Sequence, residues 1–250
     1  MIFPPEQPVR PNAPEDAWLE RYSRQLLLNE VGGAGQLRLG QAVVGILGAG
    51  AMANPLTLYL AAAGIGHLEV VDSEQAAPLC ATVRTLNPLV QLTPRPSPLS
   101  QEEAAAQMRP WHLALLTDEP ILPNDSTSRL WFNRAALQAG KTLLAGWQSG
   151  KFCRMAISRA GQDPHAPCLQ CAETGTHALQ TCSAPSTTLL HMATGLIGSI
   201  LAMEAIRFLL DNRSATCYDG LIFYPAEGRY ESVPVQKDPN CPACCGNHHG

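Results

Sequence analysis

Residues 45–55 read GILGAGAMANP, and this stretch decides the fold. A short apolar run over residues 42–47 leads into it. Asn54-Pro55 leads out of it, near the start of a second apolar run that continues through LTLYLAAA to Gly64. The first run fits a buried strand and the second has helical length. Proline is tolerated in a first helical turn because its missing N–H would have no partner there. Gly45, Gly48 and Gly50 therefore fall where a strand gives way to a helix. Glycines at such a turn let backbone approach phosphate, and the helix N-terminus faces the phosphate charge. Asp72 ends the next predicted strand, residues 67–71, at about the twenty-residue distance where a ribose-binding acid belongs. A tight strand–helix turn with no ligand meets the same description, and NAD fits this much as well as any other nucleotide.

Outward from this unit the alternation continues. The pattern predicts an amphipathic helix over 16–30, with Leu19, Tyr22, Leu26 and Leu27 on one side. It predicts a helix over 76–86, a strand over 90–93, a strand over 113–117 running into Asp118, a helix over 126–139 closed by Gly140, and a strand over 142–145. Strand–helix alternation of this kind means a Rossmann-like, mostly parallel sheet with helices on both faces. After about residue 146 the character changes. Residues 151–158 and two segments near 217–235 read as antiparallel strands, separated by a cysteine-bearing loop and a long apolar helix. The expected organisation is a flexible proline-rich arm over 1–15 and a single domain over 16–250, with a nucleotide-binding half over 16–146 and a metal-bearing, partner-binding half over 147–250.

The chain has 250 residues, 46% of them hydrophobic, enough for a full core. Its 17 basic and 21 acidic residues give a net charge of −4. That balance points away from nucleic acid or anionic membrane as a partner. Residues 189–210 are long and apolar, yet they carry His191, Glu204 and Arg207. A spanning helix tolerates such polar groups poorly, so a helix buried in the core or at a dimer interface is expected. The first residues lack the basic and apolar regions of a secretory leader.

Nine cysteines are many for a chain of this kind. Four form two C-x-x-C pairs, Cys168-Leu-Gln-Cys171 and Cys241-Pro-Ala-Cys244. A two-residue spacer sets both sulfurs on one side of a tight turn, and two such pairs supply the four thiolates of a closed structural zinc site. Metal is favoured over disulfides, which places the chain in a reducing cytoplasm. Cys245 is left over.

Further stretches occur in a fixed order: RYSRQLLL (21–28), YLAAAGIGHLEVVD (59–72), LNP (86–88), LLTDE (115–119), PCLQC (167–171), TC (181–182), AMEAIRFL (202–209), YDG (218–220) and CPAC (241–244). Together they resemble the ThiF/MoeB/HesA family, the bacterial relatives of ubiquitin-activating E1 enzymes, over about residues 18–246. The resemblance implies ATP- and magnesium-dependent adenylation of the C-terminal glycine carboxylate of a ubiquitin-like sulfur carrier, or of a small peptide. It also implies a homodimer with a structural four-cysteine zinc. By position, Gly48 and Gly50 would line the phosphates, Asp72 would bind ribose and Asp118 would hold magnesium. Arg24 would reach the partner subunit's ATP site, and Cys182 would match a cysteine that forms a sulfur-linked adduct in some members. Each has a plain structural alternative: a solvated helix face for Arg24, a cap for Asp118, an idle loop thiol for Cys182.

The sequence also departs from that family's pattern. Asp72 is followed directly by SEQAAPLCATVRTLNP, with no room for the usual arginine-bearing loop and the lysine after it. The expected glycine loop reads Gly48-Ala-Gly50-Ala51-Met52-Ala53, with alanine methyls where backbone should meet phosphate. Glu119 stands where the family usually has asparagine. Two expectations follow: an E1-like adenylyltransferase, or a catalytically degenerate E1-like scaffold that binds a carrier or partner protein. A dinucleotide-dependent oxidoreductase explains neither the paired cysteines nor RYSRQ.

Overall fold

The structure is a computed structural model that describes residues 15–71, 73–117, 128–174, 187–211 and 219–245. Its elements in chain order begin with α1 (Glu15–Leu26), α2 (Gly32–Gln41), β1 (Val43–Leu47), α3 (Ala53–Ala63) and β2 (His67–Val71). They continue with α4 (Ser73–Leu86), β3 (Gln91–Arg95), α5 (Gln101–Met108), β4 (Leu113–Leu116), α6 (Ser128–Gln138) and β5 (Leu143–Ser149). The last are β6 (Phe152–Ser158), α7 (Leu169–Thr174), α8 (Thr187–Asp211), β7 (Asp219–Tyr224) and β8 (Arg229–Pro234).

One eight-stranded sheet runs in the order β3-β2-β1-β4-β5-β6-β7-β8. The first five strands are parallel and the last three pair antiparallel. The expected change of character after residue 146 therefore falls at the β5–β6 hairpin, within one continuous sheet. Central strands are buried on both faces, which is why β1 and β4 read as unbroken apolar runs rather than alternations. On one face Val44, Ile46, Leu68, Val70, Leu115 and Met155 pack against α3, α4 and α8. On the other Leu47, Val71, Ala114, Leu116, Trp147 and Ala156 pack against α5, α6 and α7.

Three helices were not anticipated: α2, α5 and the short α7, which falls in the expected cysteine-bearing loop. The expected helix over 16–30 stops at Leu26, and a separate α2 follows. That helix contains four glycines and is held by burial of Gln36 and Leu39, with Gln36 Nε2 donating to the Ala63 carbonyl at 2.9 Å. α5 carries a readable start signal: Ser100 accepts from the Glu103 N–H, and Glu103 in turn accepts from the Leu99 N–H.

Helix α8 is long and apolar enough to cross a membrane by length and composition. Here Ala193, Ile197, Leu201, Ala205 and Phe208 are buried against the sheet and α3, as in the core helix of a globular fold.

Three stretches quoted for the family resemblance meet behind α3. Tyr22 of RYSRQ accepts from Asn87 Nδ2 at 2.9 Å, and the same amide donates to the Ala61 carbonyl at 2.7 Å. The Tyr22 ring lies where a Cβ on Gly64 would stand, 2.6 Å away. These motif residues fasten α1, α3 and the end of α4 to one another.

Candidate functional site

Strand order reverses between β1 and β4, since β1 continues to β2 on one side while β4 lies on the other. In an open α/β sheet this switch point opens a crevice at the carboxyl ends of the strands, where ligands bind. The mouth of that crevice is tied by hydrogen bonds to backbone carbonyls. Thr117 donates to the Leu47 carbonyl through both N–H and Oγ1, each at 3.0 Å, and the Gly48 N–H donates to the Val71 carbonyl at 3.1 Å. Thr117 therefore fixes the two strand ends that frame the crevice.

Gly48 has φ of 106°, a conformation that a side chain strains. The loop then divides by exposure. Ala49, Met52 and Ala53 are buried, Gly50 is half-buried and Ala51 is exposed. Met52 and the α8 residues Ile197 and Leu201 fill the space over Gly146, and α8 passes so close that a Cβ on Gly198 would stand 2.1 Å from the Met52 carbonyl oxygen. Methionine in this loop is thus a core residue. The first turn of α3 carries no side-chain cap; its Asn54 N–H donates to the Gly50 carbonyl at 3.1 Å, and Pro55 has no N–H to offer. Gly45, by contrast, sits in mid-strand under the Trp111 ring and belongs to core packing, not to the turn.

Of the other expected nucleotide-site residues, Asp72, Asp118 and Cys182 lie outside the described residues. By sequence Asp72 follows β2 and Asp118 follows Thr117. Arg24 lies in the last turn of α1 on its exposed side, opposite buried Tyr22.

The four cysteines of the two C-x-x-C pairs come together. Their sulfurs all lie within 4.8 Å of one another. Cys168 is 3.9 Å from Cys171 and 3.7 Å from Cys241, and Cys171 is 3.7 Å from Cys244. A tetrahedral ion with metal–sulfur bonds of about 2.3 Å has edges of about 3.8 Å, so the set fits a metal without rearrangement. Both knuckles are held by hydrogen bonds within the chain. Asn133 on α6 accepts from the Leu169 N–H at 3.0 Å, and the Cys241 N–H donates to the Asp238 carbonyl at 3.1 Å. Burial pushes the Cys168 thiol up to about 11 and raises that of Cys244. Burial also opposes ionisation of Cys241, but the N–H groups of Cys244 and Ala243 outweigh it and favour its thiolate. Several thiolates this close are stable together only around a cation.

Sequence reasoning missed a group at the carboxyl end of β5. Arg154 on β6 is buried, stacks over the Trp147 ring at 5.0 Å, and donates to the Ala172 carbonyl of α7 at 3.0 Å. Arg129 approaches the same ring at 5.5 Å and pairs with Glu173 at 3.1 Å. Burial lowers the Arg154 pKa, with Glu173 opposing that shift. This cluster links the helix carrying Cys171 to the sheet. An arginine in an apolar strand was its one sequence signal.

Fold and site define the class: a doubly wound α/β protein with a glycine-turn crevice at its switch point and a four-cysteine cluster beyond it. The ThiF family profile matches residues 22–78 and 75–243, and the chain belongs to that family. It is 31% identical over 256 residues to the "SAMP-activating enzyme E1" of Haloferax volcanii, covering 90% of this chain and 88% of that one. It is 27% identical over 252 residues to the "Sulfur carrier protein adenylyltransferase" of Thermus thermophilus, covering 90% of each. Among solved structures, E. coli MccB with ATP superposes with a TM-score of 0.70 at 15% identity, over 94% of this chain and 83% of that one. This last likeness is one of fold.

Proposed function

We propose that this protein is an E1-like adenylyltransferase that activates the C-terminal glycine carboxylate of a ubiquitin-like sulfur carrier, or of a small peptide, with ATP. The observation that carries this reading is the crevice between β1 and β4, with Gly48, Gly50 and the uncapped first turn of α3 at its mouth. Two relatives whose names describe carrier activation, aligned over nine-tenths of the chain, support the same reading. In it, Gly48, Gly50 and the α3 N-terminus take the phosphates and Asp72 takes the ribose. Asp118 would hold magnesium, which neutralises charge on the phosphates. The carboxylate displaces pyrophosphate at the α-phosphate, and positioning with charge neutralisation supplies the catalysis. Cys182 is assigned the sulfur-linked adduct with the carrier.

Zinc is the metal we assign to Cys168, Cys171, Cys241 and Cys244, since four thiolates in a closed tetrahedral set suit it and leave no open position for chemistry. We assign a homodimer as well. Leu189, Met192, Leu196 and Met203 recur at helical spacing on α8 and are exposed, Met192 by 68%. A second copy would cover them, and the family resemblance assigns Arg24 on α1 to the partner's crevice. The cytoplasm suits the free thiols.

A second reading has its own support. α4 begins at Ser73, two positions after β2 ends, which leaves no loop at that edge for further phosphate-binding cations. That favours an E1-like scaffold that binds a carrier or partner without adenylating it. Calorimetric titration with Mg·ATP separates the two, followed by pyrophosphate exchange in the presence of a carrier ending in Gly-Gly. Binding that weakens in Asp118→Ala, with exchange, is the expected result. No heat and no thermal shift with Mg·ATP would leave the scaffold standing.

A further inference from the structure

A fifth thiol borders the cysteine cluster. Cys245 stands outside the four-sulfur set, and its Sγ lies 3.9 Å from that of Cys244. It is exposed, whereas Cys168, Cys171 and Cys241 are buried and Cys244 is half-buried. The position is built: the Cys245 N–H donates to the Cys241 carbonyl at 2.9 Å, and its thiol donates to the Asp238 carbonyl at 3.3 Å. That carbonyl also accepts from the Cys241 N–H, so one short turn orients a metal ligand and the extra thiol together.

We infer that Cys245 is a modification site through which small-molecule disulfides open the metal cluster. The inference rests on the metal reading of the four cysteines. In the first step the Cys245 sulfur displaces one half of the disulfide, forming a mixed disulfide, and its proton leaves with the expelled thiol. In the second step the Cys244 sulfur attacks the Cys245 sulfur and expels the other half, which takes a proton from water. Two cysteine sulfurs are oxidised and one disulfide is reduced to two thiols, so electrons balance. The Cys244–metal bond breaks, and an ion held by three sulfurs is lost to competing chelators.

Geometry selects Cys244 as the second partner. It is the more accessible ligand, and its approach makes that step intramolecular. Adjacent Cα atoms stand about 3.8 Å apart, below the usual separation for a disulfide of about 4.4–6.8 Å. Such a bond is strained and easily reduced, which makes the opening reversible.

The test uses the full chain loaded with zinc, the chromogenic disulfide dithiodipyridine as oxidant, and a chromogenic chelator to follow the metal. Zinc should leave the wild type at least about 10-fold faster than Cys245→Ser, whose zinc content at the start should be unchanged. Peptide masses should show a 244–245 disulfide, and reductant with added zinc should restore the starting state. Cys80→Ser, removing a half-buried thiol elsewhere, should behave as wild type. Equal release from Cys245→Ser overturns the inference. So does a Cys245 mixed disulfide with the metal retained, or loss of zinc from Cys245→Ser before oxidant is added. A wild type that takes up no zinc at all overturns the metal reading itself.

Discussion

The cysteine cluster and the switch-point crevice are built in opposite ways. At the cluster, side chains do everything: four sulfurs converge from two knuckles 73 residues apart, each held by hydrogen bonds of its own. At the crevice, backbone does the work, through a positive-φ glycine, two strand ends tied by Thr117 and an uncapped helix turn. The difference teaches where each region is vulnerable. The cluster fails if one side chain is changed. The crevice fails if a neighbour shifts its backbone, even when no residue at its mouth is touched.

The largest expected effect is at the cluster. Stripping the metal with a chelator, or replacing Cys168 by serine, removes the tie between the two knuckles. We expect a loss of about 5 kcal/mol, or a fall in melting temperature of about 10–20 °C. Hydrogen exchange should show protection lost first around residues 168–171 and 241–244, while β1 stays protected. Loss spread evenly over the sheet would break the comparison.

The crevice half has side-chain ties of its own, and one of them is charged. Glu69 on β2 is buried and receives Arg95 on β3 at 2.7 Å and Trp111 Nε1 at 2.9 Å. Arg95→Ala leaves a buried carboxylate without the two N–H donors that Arg95 supplies, Nε at 3.0 Å and Nη2 at 2.7 Å. Because Arg95 is itself partly in water, we expect a loss of about 2–3 kcal/mol, below that of a fully buried pair. Urea unfolding measures it, and Glu69→Gln in the same chain should recover part of it. Burial raises the Glu69 pKa, but the bonds from Arg95 and Trp111 hold it below the ordinary 4.5. Its contribution is therefore present above pH 4.5 and lost as pH falls through the lowered folded value. At His67 it is burial that lowers the pKa below the ordinary 6.5, and stability is again lost as pH falls. Glu69→Gln should flatten the acid limb of the stability curve.

The smallest effect on stability sharpens the comparison most. Gly198→Ala lies on α8, away from the crevice mouth, yet its Cβ would press on the Met52 carbonyl oxygen at 2.1 Å. We expect about 1–2 kcal/mol of destabilisation, with a larger proportional loss of Mg·ATP affinity as the glycine loop is displaced. Unchanged affinity would mean that the loop shape does not govern the site.

Much of this was legible from the residues. β2 runs from His67 to Val71 as read, because its apolar run is bounded by glycine and aspartate. The four cysteines meet because C-x-x-C spacing is a local geometric instruction repeated twice. What escaped was set by tertiary contact or by signals passed over. α2 is glycine-rich and is helical because the fold buries Gln36 and Leu39. α5 announced itself in Ser100-Gln-Glu-Glu103, a capping pattern in a segment with little apolar periodicity. Gly45 reads as part of a phosphate turn until Trp111, sixty-six positions later, is seen to occupy the space over it. Met52 reads as a defect in a glycine loop, and only the approach of α8 shows it to be core.

The long interval between the two knuckles has a consequence for how the chain is made. Cys168 and Cys171 are synthesised 73 positions ahead of Cys241 and Cys244. At about 5–20 residues per second the first pair waits about 4–15 s for the second. During that wait α8 and the β7–β8 hairpin emerge, and an ion captured by the first pair is held by half its final ligands. Closure of the cluster thus marks that the intervening core helix and hairpin have been delivered. A metal held by all four sulfurs would be a seal set late on the ribosome's output rather than a seed for its folding.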